Sequence, residues 1–261
     1  MHPKATVEAA LRLHREGLNN CEIARRTGVS RPTIRDWANG KLPHSYASNA
    51  SFAESGQCER CGGREHRFDE LPADYVYLLG LYLGDGSIAT YPRNVYRLRI
   101  TLDVRYPGIV DECEAAMRAV TPRNRIGRQL RRCNCYEVGG YSKSWPCLFP
   151  QHGPGMKHTR PIYLAKWQQK LAKRWPEQLI KGMIQSDGCR VINTGRGGWR
   201  QPRYAFSNVS TDVTSIFCSA CDCMGLRWTA SFPSNERAAV SIYVSRKDDV
   251  ARLDEFVGPK Q

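Results

Sequence analysis

The sequence predicts an α+β fold: a tandem repeat of mixed helices and antiparallel strands, preceded by a small all-α domain. Two apolar segments that stop at Asp-Gly recur 102 residues apart, at Leu78–Gly86 and Ile180–Gly188. Each is followed by alternating apolar and polar stretches of strand type, then by a segment of helical periodicity. Residues 1–42 instead carry three short amphipathic segments punctuated by Gly and Pro.

In the first of those segments Val7, Ala10, Leu11 and Leu13 fall on one helical face. Asn20–Thr27 reads as a second helix, and Gly28-Val29 as the turn after it. Ser30 is expected as the N-cap of a third helix, with Pro32 in its first turn and its end near Gly40. Ile23, Ala24, Val29, Ile34 and Trp37 would form the small core. The segment resembles the helix-turn-helix of repressors and recombinases. That resemblance implies a third helix in the major groove, with Arg31, Thr33 and Arg35 reaching bases or phosphates.

Residues 43–70 are rich in Ser, Asn, Gly and charge and read as a linker. Within it Cys58-x-x-Cys61, followed by Gly62-Gly63 and His66, has the spacing of a zinc knuckle. A structural zinc needs a fourth ligand, and Cys133, Cys135, Cys147 and His152 are open choices. The chain holds 11 cysteines. Cys218, Cys221 and Cys223 fall on a helical segment with Ile216 and Phe217 and are expected to pack in the core.

From residue 71 onward the chain reads as two repeats, about 71–160 and 161–261, each helix, two strands, helix, two strands, helix. Strand patterns fall at Tyr96–Val104, Tyr136–Tyr141, Tyr204–Val209 and Ala238–Val244, and helical ones at Pro107–Ala119 and Asp212–Met224. Gly80 and Gly84 share a face of the first Asp-Gly helix, as Gly182 and Ser186 do in the second. Glycine costs about 1 kcal/mol relative to alanine inside a helix. Its recurrence points to two helices packed against each other at the junction of the repeats. Asp85 and Asp187 would then lie close together, each at a helix C-terminus where the dipole disfavours a carboxylate. Gly86 and Gly188 are expected to end the helices in a left-handed conformation. Bound Mg²⁺ would offset both electrostatic costs, with the Gly84 and Ser186 carbonyls completing its ligands.

Both nonapeptides resemble the LAGLIDADG signature of homing endonucleases in the single-chain, two-repeat form. The resemblance covers the chain from about Leu71 to its end. It implies two saddle-shaped antiparallel sheets straddling duplex DNA, with Asp85 and Asp187 sharing two or three Mg²⁺ ions and cutting both strands. Leu83 and Gln185 depart from the signature at its sixth position, which is not the metal-binding acid. The resemblance further implies a basic residue late in each repeat. Lys143 and Lys247, which follow their acids by 58 and 60 residues, fit that role, and Arg246 rivals Lys247. On the strands, Arg97, Arg99 and Arg203, with Arg246, are the DNA contacts expected. His152 and His158 fall in a stretch read as the loop joining the repeats. The strand-helix pattern of an HNH nuclease is not evident around them.

Composition agrees with this reading. Lys and Arg outnumber Asp and Glu by 39 to 25, a formal net charge of +14, which suits a polyanionic partner. The longest apolar run, Tyr75–Leu83, is far below the roughly 20 residues of a membrane span. The N-terminus lacks the pattern of a signal peptide, so a cytoplasmic, nucleoid-associated protein with reduced cysteines is expected. The expected activity is Mg²⁺-dependent, site-specific cleavage of double-stranded DNA at a long asymmetric site, by a monomer. A DNA-binding transcription regulator that does not cut, and an intron RNA-splicing helper, are the alternatives.

Overall fold

Asp-Gly at the end of an apolar helix decides the topology, because the chain turns from helix into strand without a loop. In the computed structural model, which describes residues 2–42, 58–63, 65–233 and 238–261, this happens twice. The linker stretch at 43–57 lies outside the described residues. The chain divides into two compact units, residues 1–65 and 66–261.

The first unit holds α1 (Lys4–Arg15), α2 (Asn20–Thr27) and α3 (Arg31–Ala38). Asn19 caps α2 through Oδ1, which accepts from the Cys21 and Glu22 amides at 3.1 and 3.0 Å. Gly28 ends it at φ +70°, a left-handed turn that favours glycine. Ser30 occupies the N-cap of α3, but its hydroxyl makes no capping bond and meets Thr33 Oγ1 at 2.7 Å instead. Val7, Ala10, Ile23, Val29, Ile34 and Trp37 are buried, with Ala24 partly buried against them.

The second unit is α+β and contains two copies of one pattern. The first copy runs α4 (Ala73–Asp85), β1 (Gly86–Tyr91), β2 (Val95–Asp103), α5 (Pro107–Val120), β3 (Ile126–Arg131), β4 (Cys135–Ser142) and the short α6 (Trp145–Leu148). After α7 (Lys166–Arg174) comes the second copy: α8 (Pro176–Asp187), β5 (Gly188–Thr194), β6 (Arg200–Asn208), α9 (Thr211–Cys223), β7 (Thr229–Ser231), β8 (Val240–Val244) and α10 (Lys247–Asp254). Each copy builds a four-stranded antiparallel sheet, ordered β1-β2-β4-β3 and β5-β6-β8-β7. Alternation sets the faces: Leu98, Ile100 and Leu102 of β2, and Tyr204 and Phe206 of β6, are buried in the core.

Helices α4 and α8 pack against each other. Tyr75 to Leu83 is buried without interruption, which is why this helix is apolar all round rather than amphipathic. A Cβ on Gly80 would lie 2.7 Å from Leu179 O and 2.8 Å from Met183 N, so only glycine permits this approach. The sequence reading of Gly86 and Gly188 as left-handed caps does not hold. Their φ values are −87° and −110°, both extended, and each residue opens a strand. Glycine is required there by crowding: a Cβ would meet Tyr82 Cα at 2.5 Å and Ile184 Cα at 2.7 Å.

Of the three cysteines expected to pack in the core, Cys221 is buried, Cys218 half-buried and Cys223 exposed. No described helix is long and apolar enough to cross a membrane.

Candidate active site

Because α4 and α8 touch at Gly80 and Gly84, their C-terminal ends meet. Asp85 and Asp187 are the last residues of those helices, and both are half-buried. Asp187 Oδ2 would lie only 2.9 Å from a Cβ on Gly84, the residue preceding Asp85. Burial, then the neighbouring Asp187 charge, pushes the Asp85 carboxyl up to about 6. Burial likewise raises Asp187, opposed by a hydrogen bond from Asn208 Nδ2 to Asp187 Oδ2 at 2.6 Å.

The two halves differ at this point. Strand registers pair Gly86 with Ile100 and Gly188 with Phe206. Two residues further on, β2 offers Leu102 where β6 offers Asn208. Asp85 therefore accepts no hydrogen bond among the described residues. It lines a cavity of about 290 Å³ with Leu102, Asp103, Arg105, Ser186 and Lys260.

Since no left-handed cap closes either helix, their last carbonyls need other donors. Two lysines supply them. Lys157 Nζ donates to the carbonyls of Tyr82, of Leu83 at 3.1 Å and of Gly84 at 2.7 Å, and it lies 5.0 Å from the Tyr82 ring centroid. Lys260 Nζ donates to Ser186 O at 3.0 Å. Burial pulls the Lys157 ammonium down to about 8 against the opposing charges of Asp187 and Asp85. Burial also lowers Lys260. The lysines follow their acids by 72 and 73 residues, so they are equivalent in the two repeats.

The lysines beside the acids are thus Lys157 and Lys260, while Lys143 and Lys247 are both exposed. The Gly84 and Ser186 carbonyls do sit at the helix ends, each bonded to an ammonium and keeping a second lone pair. Arg97 and Arg99 lie on the face of β2 turned away from the core, and Arg203 on that of β6. Arg246 is the exposed N-cap of α10. In α3, Arg31 and Arg35 are exposed and Thr33 is half-buried.

In the first unit Cys58 and Cys61 are half-buried; in the second, His66 is half-buried and Cys147 buried. Cys133 is exposed and Cys135 half-buried, and His152 stacks edge-on against Tyr96 with ring centroids 5.7 Å apart.

Residues 5–40 match the family model of the homeodomain-like domain. Among curated proteins none matches the sequence. Several solved structures are similar to the chain at low identity. Mesophilic variants of the homing endonuclease I-DmoI are 17% identical, with 73% of this chain and 91% of that one covered and a TM-score of 0.49. The LAGLIDADG meganuclease I-AabMI bound to uncleaved DNA is 11% identical, over 70% and 82%, with a TM-score of 0.45. The homing endonuclease I-WcaI bound to its DNA recognition sequence is also 11% identical, over 72% and 81%, with a TM-score of 0.45.

Proposed function

We propose that this chain is a divalent-metal-dependent endonuclease of double-stranded DNA, of the LAGLIDADG homing-endonuclease kind. The observation that carries the proposal is the meeting of Asp85 and Asp187 at the ends of two helices packed too closely to admit a Cβ. A pair of half-buried carboxylates, one of them without a hydrogen-bond donor among the described residues, is an unfavourable arrangement unless it holds a cation. The donor set fits Mg²⁺: two carboxylates and two carbonyls, all hard oxygens.

In the mechanism, Asp85 and Asp187 would hold the metal, with the Gly84 and Ser186 carbonyls beside them. When bound, the metal activates water and offsets charge on the scissile phosphate. The chain's own groups do the rest. Asn208 fixes the orientation of the Asp187 carboxylate. Lys157 and Lys260, anchored on helix carbonyls, place positive charge beside the acids, where negative charge builds up on a phosphate under attack. Two acids and two lysines in pseudosymmetric places suit cutting of both strands at one site. Arg97, Arg99 and Arg203 would face the duplex from the sheets. In the first unit, Arg31, Thr33 and Arg35 would enter a major groove and lengthen the recognised site. By their spacing in the sequence, Cys58, Cys61 and His66 are read as ligands of a structural zinc.

The test starts from a duplex selected out of a randomised library by the full chain. With Mg²⁺ the wild type should cut both strands of that duplex and with EDTA neither. Asp85→Asn and Asp187→Asn should bind it without cutting. Binding without any nicking by the wild type would identify a non-cutting DNA-binding regulator instead.

A further inference from the structure

The outward faces of the two sheets are not equivalent. In the first sheet Glu137 stands on the face turned away from the core, opposite Thr101 on β2 and Gln129 on β3. Three guanidiniums converge on it. Arg131 Nη2 donates to Oε2, Arg97 Nη2 lies 3.6 Å from Oε2, and Arg99 Nη1 lies 3.8 Å from Oε1. Only 14% of the Glu137 side chain is exposed, and the Arg131 hydrogen bond, with the charges of all three arginines, holds its carboxyl below the usual range. Arg97 also lies over the Tyr141 ring, 5.7 Å from its centroid.

The second sheet is an internal control, because its register matches residue for residue. Val138 opposite Ile100 corresponds to Ile242 opposite Phe206. Glu137 therefore corresponds to Ser241, Arg99 to Ala205, Thr101 to Ser207 and Arg97 to Arg203. The four-charge cluster is replaced by a hydroxyl pair, Ser207 to Ser241 at 2.8 Å, and one arginine. Arg203 lies over Tyr243 at 4.4 Å from the ring centroid, with no carboxylate beside it in the described residues.

A carboxylate on a face meant for a polyanion weakens attraction to phosphate, so its presence needs a reason. Fixing the arginines supplies one. Arg131, tied at one edge to Glu137, and Arg97 and Arg99, drawn to it at ion-pair distance, are held back from the nearest phosphate, and their exposed donors are left for a planar acceptor pair. In the major groove that pair is O6 and N7 of guanine. We infer that Glu137 is a positioning residue for base readout: it holds Arg97, Arg99 and Arg131 so that the first sheet reads a guanine cluster in one half of the target. The second sheet, without the cluster, reads its half mainly through hydroxyl groups. The inference rests on the reading of this chain as a binder of duplex DNA.

The experiment is selection from a randomised duplex library with full-length wild type and Glu137→Gln, both in Ca²⁺, followed by affinity measurements over a range of salt. The wild type is expected to enrich an asymmetric site with two or three guanines clustered in one half. Glu137→Gln should lose that preference, by about 5- to 150-fold at each guanine, and leave the other half unchanged. Its affinity for unrelated duplex should rise, with a salt dependence steeper by about one ion. Arg99→Lys keeps the charge but loses the fork, and should relax a single position. It provides the test if Glu137→Gln does not fold. A selected site without clustered guanines, or a Glu137→Gln protein that still demands them, overturns the inference alone. Failure of the wild type to enrich any duplex overturns the DNA reading together with it.

Discussion

Replacing Asp85 by Asn should make the metal-free protein more stable, an unusual outcome for a change at a half-buried position. Asp85 has an ordinary value of 3.8 and is pushed to about 6 in the folded chain. Between these values the folded state binds more protons at this group than the unfolded state does. The contribution of Asp85 to stability is therefore complete below pH 3.8 and declines as pH rises through 6. At pH 7.5 the ionised carboxylate costs about 3 kcal/mol, and at pH 4.5 about 1 kcal/mol. Asparagine keeps the shape and removes the charge. In urea unfolding with EDTA, Asp85→Asn should gain roughly 2–3 kcal/mol at pH 7.5 and about 2 kcal/mol less than that at pH 4.5. Adding Mg²⁺ should narrow the gap by stabilising the wild type only. A variant that is no more stable at pH 7.5, or equally stabilised at both pH values, would refute the electrostatic strain argued for this site.

Lys157→Met should fold with a loss of about 1–3 kcal/mol, because Leu83 and Gly84 carbonyls lose their donor. Its cleavage of the selected duplex should fall by about 10²-fold or more, against little change for Lys143→Met in the same assay. Gly80→Ala should destabilise by about 1–3 kcal/mol in spite of the better helix propensity of alanine, because the contacts are with backbone that no rotamer can move. Denaturant unfolding reads that change, and a gain in stability would mean the helices are not in such close contact. Cys58→Ser should reduce zinc from about one ion per chain to a small fraction in metal analysis of the purified protein. Equal zinc in both proteins would remove Cys58 from the site.

The sequence reveals the repeat, the paired acids and the helix contact because each is encoded locally. Small residues four apart and a terminal Asp-Gly are visible within nine positions, twice. Strands with clear alternation, such as Tyr96–Val104, fall within one residue of β2. β7 spans only three residues, too few for periodicity to register. The meaning of Gly86 and Gly188 is hidden because crowding and a left-handed turn both select glycine, and only coordinates tell them apart. Lys157 and Lys260 are missed for another reason. They lie in a three-residue 3-10 turn and among the chain's last residues, where no periodic pattern marks a side chain. Their one sequence signal is the near-equal spacing from the acids, 72 and 73 residues, which Lys143 and Lys247 mimic at 58 and 60.

The measurement closest to the central claim is calorimetric titration of Mn²⁺ into the full chain bound to its selected duplex, compared across wild type, Asp85→Asn and Asp187→Asn. Two carboxylates that jointly hold the cation require that either substitution alone weaken its binding by at least about tenfold. Affinity that survives the loss of one aspartate unchanged would mean the two side chains do not serve a common ion.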